Sequence, residues 1–474
     1  MKGKQKTSRL GLAMAAAILL ASMFLFVGVL NSSQSAFFKF LLSVALLAGC
    51  GYAVSRLLKY ECWYGIFLLR SQYGLSLLDR LAKRHPRLWQ GLYELGTVIG
   101  FGSFAYFLLR REKYTWQRIA FLYGLGTFLM VLFTHMVAPL ATSALFSMLS
   151  GGSEFASAGQ GLQASISQVS AAKYLFFALL VLGGISLMTT AGLILYAAVV
   201  AVSIAGMLAS GADPASVSPG GTPIIPGINL PLLEGVAALA VVLMVHEAMH
   251  GIVARMHGFP LKAAGLVFFG FLPFGAFVDI DEKRMFKGKK EAQSAVFVAG
   301  TTANFFTSLL LAMLFFLAIY ATEPFRLNGV YIETGGLPHG ALLHSINGVP
   351  ARAAMASPLS PNTTYSLQTS KGEYSIATGA DGKLGITYSL ADSSGISGVF
   401  RYEGGLEWMV GFLRFLALAF SLNFVVGAIN LVPIPLFDGY YLMKNGVKNA
   451  LAVKVIAWAV AIAFVVNMLP WVFR

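Results

Sequence analysis

The sequence predicts a polytopic α-helical membrane protein with about nine spans, a re-entrant β-hairpin and an inserted small β-rich domain. Of its 474 residues, 57% are hydrophobic and only 11% are charged, whereas soluble domains carry about 25% charged residues. Several apolar stretches reach the roughly 20 residues that a helix needs to cross the hydrocarbon core. Because backbone groups in lipid must pair internally, we expect these stretches to be helices.

Apolar runs broken by charged residues locate the spans. We place them near residues 10–30, 37–57, 90–109, 119–148, 174–207, 234–256, 294–320, 408–432 and 455–472. The stretch at 174–207 is long enough to be tilted or kinked. Basic residues in both Arg56–Gln90 and Arg110–Lys113 conflict with a simple alternating topology. Either a further crossing lies around Trp63–Leu69, or one of the two loops departs from the positive-inside rule.

The charge balance favours a membrane surface over nucleic acid. The chain has 34 Lys and Arg against 20 Asp and Glu, a formal charge of +14. The basic residues are scattered between apolar segments, as in cytoplasmic loops that contact anionic lipid. We therefore expect the lipid bilayer as a partner, no nucleic acid, and a multi-pass protein of the cell (cytoplasmic) membrane. Only two cysteines occur, which excludes a disulfide framework and a cysteine-based structural zinc site.

One motif predicts metal chemistry. His246, Glu247 and His250 form a His-Glu-x-x-His pattern at the end of an uncharged apolar stretch. Residues four apart share one face of a helix, so both imidazoles can bind one Zn²⁺ while the glutamate acts as general base. Ionisable groups are costly inside a bilayer and are there by default functional. The motif predicts a catalytic zinc site.

A catalytic zinc needs a third protein ligand. The best candidate is Asp438, which follows Pro433 and Pro435. Because proline cannot continue a helical hydrogen-bond ladder, the two prolines should unwind the end of the 408–432 span. The unwound chain would then carry Asp438 towards the two histidines.

Together these motifs resemble the site-2 protease family of intramembrane zinc metalloproteases. The resemblance covers roughly the second half of the chain and also rests on Asn430-x-x-Pro433, Asp438-Gly439 and Gly300-Thr-Thr-Ala-Asn304. It implies that His246, His250 and Asp438 bind zinc, that Glu247 is the base, and that substrates are membrane proteins with a transmembrane segment. A proline commonly follows the first glycine of the Gly300 segment, and here the residue is Thr301. Asn304 and Asn430 are candidates for positioning substrate or an oxyanion, or for hydrogen bonds between helices.

Two further segments have their own predictions. Residues 266–278 are apolar but interrupted by glycine and proline, which is typical of a re-entrant or interfacial β-hairpin that could hold substrate by strand addition. Residues 323–406 are polar and Gly-rich with alternating runs, which predict short strands. Two patterns there, Gly335–Pro338 and Ser345–Pro350, resemble PDZ domains of proteases. That resemblance implies an extracytoplasmic domain that docks or filters substrates, the alternative being a passive cap.

The predicted domains are therefore four. Residues 1–232 form an N-terminal transmembrane region without an interpretable motif, 233–322 and 407–474 form the catalytic membrane core, and 323–406 form the PDZ-like insert. Three other functions remain open: a metal-ion transporter, another class of membrane zinc protease with a glutamate as third ligand, and an inactive scaffold. The expected activity is intramembrane cleavage of membrane proteins, as in regulated intramembrane proteolysis.

Overall fold

The structure is a computed structural model. It describes residues 9–34, 36–60, 62–109, 114–141, 170–221, 224, 226–227, 230–325, 329–355, 358–391 and 408–473. The end of the predicted span at 119–148, the loop at 110–113 and the end of the insert at 392–406 lie outside these residues.

Eight helices in the described part of the chain are long and apolar enough to cross a membrane. They are Leu10–Leu30, Phe38–Leu58, Trp116–Ala141, Leu175–Ser210, Leu232–Met256, Lys290–Phe325, Trp408–Asn430 and Ala450–Phe473. Each corresponds to one of the predicted spans. They confirm a polytopic helical protein, while the count of about nine stays a prediction.

The remaining predicted span, at 90–109, is a broken helix. Helices α1 (Arg9–Leu30), α2 (Ala36–Leu58) and α3 (Gln72–Arg84) precede α4 (Pro86–Phe101), which ends at Gly102 and is followed by a 3₁₀ turn and the short α5 (Ala105–Leu108). Gly102 has φ 52°, a left-handed conformation that favours glycine. The sequence pattern showed an uninterrupted apolar run here, because a glycine break leaves hydropathy unchanged.

The long helix α7 (Ser170–Ser210), which follows α6 (Trp116–Leu132), confirms the kink considered for residues 174–207. Gly184 interrupts it with φ 64°. A Cβ on Gly184 would lie 2.5 Å from the Gly100 carbonyl, and one on Gly102 would lie 2.4 Å from the Val181 carbonyl. The two helix breaks therefore pack directly against each other, and glycine is needed at both positions.

A four-stranded antiparallel sheet lies beside α8 (Leu232–Met256), the helix that carries the His-Glu-x-x-His motif. Its strands are β1 (Cys62–Trp63), β2 (Ile66–Ser71), β3 (Leu261–Phe269) and β4 (Leu272–Ile280), in the order β1-β2-β3-β4. Strands β3 and β4 form the hairpin predicted at 266–278. The segment around Trp63–Leu69, where the sequence left a crossing open, instead forms β1 and β2. Strand β2 pairs with β3 from Ile66↔Phe269 to Ser71↔Ala264.

A second compact unit, Met313–Leu416, contains the predicted β-rich insert. Its strands are β5 (Gly329–Thr334), β6 (Leu342–Ile346), β7 (Val349–Pro350), β8 (Thr364–Thr369), β9 (Gly372–Ala377) and β10 (Thr387–Ala391), ordered β10-β5-β6-β8-β9 with β7 on β6. Its core buries Ile332, Leu343, Ile346 and Leu367. The β-rich architecture is confirmed, and the likeness to a PDZ domain stays a prediction.

The remaining elements complete the described part of the chain. The short α9 (Glu282–Met285) leads to α10 (Lys290–Thr322), and α11 (Ala351–Ala354) lies within the β-rich unit. The chain then continues through α12 (Trp408–Asn430), α13 (Asp438–Gly446), α14 (Ala450–Met468) and α15 (Pro470–Phe473). Helices α8, α10 and α13 supply the residues of the candidate site.

Candidate metal centre

Helix α8 presents the two histidines of the motif on one face. His246 and His250 are four residues apart, and their Nε2 atoms lie 3.0 Å from each other. Both residues are buried, with exposed fractions of 7% and 8%. The helical repeat alone accounts for this pairing, since positions i and i+4 are neighbours on the helix surface.

The third predicted ligand reaches the same point from a distant part of the chain. Asp438 Oδ2 lies 3.3 Å from His246 Nε2 and 3.3 Å from His250 Nε2. Helix α12 ends at Asn430, and the loop with Pro433 and Pro435 leads into α13, whose first residue is Asp438. Within this loop Leu436 has φ 83°, a strained conformation for a branched residue that the surrounding structure must hold.

The three donors fit a zinc ion. Four ligands arranged tetrahedrally at about 2.0–2.1 Å from zinc lie about 3.3 Å from one another. The observed edges of 3.0, 3.3 and 3.3 Å match this geometry. Two imidazole nitrogens and one carboxylate oxygen are all electron-pair donors when the histidines are neutral, so their convergence favours a bound cation. Three protein ligands also leave one position open, as in catalytic zinc sites.

Helix α10 fixes the orientation of both imidazoles. His250 Nδ1 lies 2.7 Å from the Val296 carbonyl oxygen, to which it donates its proton. His246 Nδ1 lies 3.2 Å from the side-chain amide of Asn304, which is fully buried. The contacting atom is Asn304 Nδ2, and Asn304 Oδ1 is buried without a hydrogen-bond partner among the described residues. A half-turn of the amide would place Oδ1 at His246 Nδ1, where it could accept the Nδ1 proton and leave the Nε2 lone pair for a metal. The Val296 contact selects the tautomer of His250 that binds a metal through Nε2.

The environment keeps Asp438 ionised. Burial raises the pKa of its carboxyl, but the proximity of His250 and His246 lowers it by more. The resulting pKa lies well below its usual range. Asp438 is thus an anion throughout the neutral pH range, which is the form that binds a metal.

Glu247 lies beside the metal ligands and contacts the sheet. Its Oε2 accepts a hydrogen bond from the backbone N–H of Val278 at 3.0 Å. Val278 belongs to β4, the edge strand of the four-stranded sheet next to α8. The outer edge of β4 therefore faces the residue predicted to act as general base.

The comparisons with known proteins agree with this geometry. Residues 234–470, half of the chain, match peptidase family M50. The chain belongs to peptidase family M50. The resemblance to the site-2 protease family is thereby confirmed, and membership supports a membrane-embedded metalloprotease rather than a metal-ion transporter.

A relative of this M50 chain is an uncharacterized protein of Methanocaldococcus jannaschii. The two are 27% identical over 231 residues, which is 45% of this chain and 57% of the relative. The chain thus matches a little over half the length of that relative. The N-terminal helices α1 to α7 lie outside the region matched to family M50.

One residue of the M50 centre had no assigned role in the sequence. A Cβ on Gly300 of α10 would lie 2.4 Å from His250 Nε2 and 2.6 Å from His246 Nε2. Any side chain at this position would occupy the space beside the two Nε2 atoms that a bound metal would need. The glycine in the Gly300-Thr-Thr-Ala-Asn304 segment was the signal that could have identified it, because a residue without a side chain allows close approach.

The two predicted asparagines differ in their placement. Asn304 contacts the ligand His246, as described above. Asn430 is the last residue of α12 and is partly buried. The hydrogen bonds among the described residues do not connect Asn430 to the histidines or to Asp438. A role for Asn430 in positioning substrate stays a prediction.

Proposed function

We propose that the protein is an intramembrane zinc metalloprotease that hydrolyses peptide bonds in or near the transmembrane segments of other membrane proteins. The observation that carries this proposal is the triangle of His246, His250 and Asp438 donor atoms, with edges of 3.0 to 3.3 Å. Two of its corners lie on Leu232–Met256, a helix suited to crossing a membrane. A peptide bond hydrolysed there would lie at membrane depth.

In this proposal His246, His250 and Asp438 hold the zinc, and Glu247 handles the protons. When bound, the zinc supplies Lewis acidity, which polarises a peptide carbonyl and makes water a nucleophile near neutral pH. Glu247 removes a proton from the attacking water and later delivers it to the leaving amine. The N–H of Val278 holds the Glu247 carboxylate in place through Oε2 and leaves Oε1 for the water.

The edge strand β4 accounts for how a helical substrate is presented. A helix hides its peptide bonds in its own hydrogen bonds, so a protease must first unwind it. An unwound segment can pair with the outer edge of β4 through main-chain hydrogen bonds. Because this edge already faces Glu247, strand addition would carry the peptide past the metal centre. Substrates with Gly, Pro or Asn near the cut should unwind most easily.

The β-rich unit, Met313–Leu416, has a proposed role of its own. The resemblance to a PDZ domain supports a docking site or a size filter for substrates shortened outside the membrane. Such a filter fits regulated intramembrane proteolysis in the cell membrane. Deleting strands β5 to β10 should then broaden the range of substrates that are cut, whereas a passive cap would leave it unchanged.

Reconstitution with a defined substrate tests the proposed function. The purified protein would be placed in liposomes with zinc and a single-span substrate, and the products mapped by mass spectrometry. We expect one or a few cuts within or beside the transmembrane segment, and none with the Glu247→Gln variant. Zinc-loaded protein that leaves every transmembrane substrate intact but cuts soluble polypeptides would contradict the intramembrane assignment.

A further inference from the structure

The carbonyl of Leu431 lies between the N-terminal helices and the loop that carries Asp438. Leu431 follows the end of α12 and is fully buried. The last carbonyls of a helix have no partner within the helix and need one elsewhere. The Leu431 carbonyl accepts a hydrogen bond from Ser186 Oγ at 2.8 Å. Ser186 is 245 residues away in sequence and is itself buried.

The break in α7 places Ser186 at this position. Gly184, with φ 64°, interrupts the helix two residues before Ser186. A serine inside an uninterrupted helix commonly donates its hydroxyl to the carbonyl one turn earlier. Here the hydroxyl of Ser186 instead donates to the carbonyl of Leu431, just after the end of α12. The same break packs against the Gly100 carbonyl of α4.

Leu431 is confined on two further sides. A Cβ on Gly100 would lie 3.1 Å from Leu431 Cδ1, so the leucine side chain packs closely on α4. A Cβ on Gly439 would lie 2.2 Å from the Leu431 carbonyl oxygen, so the start of α13 sits against the same carbonyl. Asp438 immediately precedes Gly439. Any shift of the Leu431 carbonyl therefore displaces the backbone that carries the third metal ligand.

We infer that Ser186 is a positioning residue for the metal centre: through the Leu431 carbonyl it holds the loop that places Asp438 against His246 and His250. The N-terminal helices α4 and α7, outside the region matched to family M50, thus support the metal site. The inference rests on the proposed function, because it concerns a site that binds zinc. Mutating a residue that hydrogen-bonds to a metal ligand typically lowers metal affinity by about 10- to 100-fold. Ser186 contacts Leu431 rather than a ligand, so its loss should lower the affinity by less.

The test compares two serines that make the same kind of bond. Ser308 of α10 is fully buried and donates its hydroxyl to the Phe420 carbonyl at 2.7 Å. Phe420 lies in the middle of α12, away from the Asp438 loop. Full-length Ser186→Ala, Ser308→Ala and wild-type protein would be titrated with a zinc chelator in detergent. The spectra of the same proteins loaded with Co²⁺ would report the ligand geometry.

We expect Ser186→Ala to weaken zinc binding by about 3- to 10-fold, below the range for direct partners of ligands, and to alter the Co²⁺ spectrum. Ser308→Ala should bind zinc like the wild type even if its melting temperature falls, and Ser186→Thr, which keeps the hydroxyl, should restore the affinity. Equal zinc affinity in Ser186→Ala and wild type, or equal losses in both alanine variants, would overturn the inference. A wild type that binds no zinc under metal-replete conditions would overturn the proposed function as well, so the two failures are distinguishable.

Discussion

Asn304 lies 3.2 Å from His246 Nδ1 and is fully buried between α10 and α8. This contact gives Asn304 a structural role at His246 that does not involve substrate. It holds the His246 ring in its orientation towards His250 and Asp438. The zinc affinity of an Asn304 variant separates this role from direct contact with substrate.

Replacing Asn304 with alanine should weaken zinc binding by about 10- to 100-fold, the usual effect of losing the hydrogen-bond partner of a metal ligand. Chelator titration measures it. Asn423→Ala is the matched control, because Asn423 is also fully buried in a membrane helix and donates to the Ala419 carbonyl at 2.7 Å. Unchanged zinc affinity with a reduced kcat would instead assign Asn304 to substrate or oxyanion binding.

Replacing Gly300 with alanine should abolish zinc binding. The added methyl would lie 2.4 to 2.6 Å from both histidine Nε2 atoms, which is too close for a metal ion to remain. Zinc content after purification, measured by mass spectrometry, checks this. Gly192→Ala is the control, because a Cβ there meets nothing within 4 Å. A Gly300→Ala protein that retains zinc would contradict the close approach of α8 and α10 at this position.

Replacing Glu247 with glutamine should remove proteolysis and spare the metal. The loss of a general base typically lowers the rate by about 10²- to 10⁴-fold, while the three ligands are untouched. Cleavage rate and zinc content would be measured on the same preparation, with Glu234→Gln of the same helix as control. Proteolysis that survives in the Glu247→Gln variant would exclude Glu247 as the base.

Substrates should be cut more slowly when their transmembrane segments resist unwinding. Exchanging Gly, Pro or Asn near the cut for Leu raises helix propensity by up to about 1 kcal/mol for Gly and 3 kcal/mol for Pro. We expect cleavage to slow accordingly, whereas the same exchange far from the cut should have little effect. Equal rates for all substrates would contradict strand addition at β4.

The sequence predicted the parts of the site that depend on short-range geometry. The four-residue spacing of His246 and His250 determines their common face wherever a helix forms. Pro433 and Pro435 marked the end of α12, since proline stops a helix. The contact of Asp438 with the histidines is long-range, and the chemical need for a third ligand predicted it. The hairpin was recognisable because glycine and proline interrupt its apolar run.

Other features could not be predicted from local patterns. Strand β2, Ile66–Ser71, begins with four apolar residues, and its pairing partner β3 begins at Leu261. Short apolar runs do not distinguish strand from helix, so the segment could be mistaken for a crossing. The breaks at Gly102 and Gly184 depend on their contact with each other. Hydropathy does not report such contacts. The support of the metal centre by α7 could therefore not be predicted from the sequence.

The central claim is that His246, His250 and Asp438 bind one catalytic zinc. Zinc content and transmembrane-substrate cleavage of the wild type, His246→Ala and Asp438→Ala test it most directly. We expect about one zinc per chain in the wild type, lost together with proteolysis in both variants and after chelation. A wild type without zinc under metal-replete conditions, or an Asp438→Ala variant that retains zinc and activity, would contradict it.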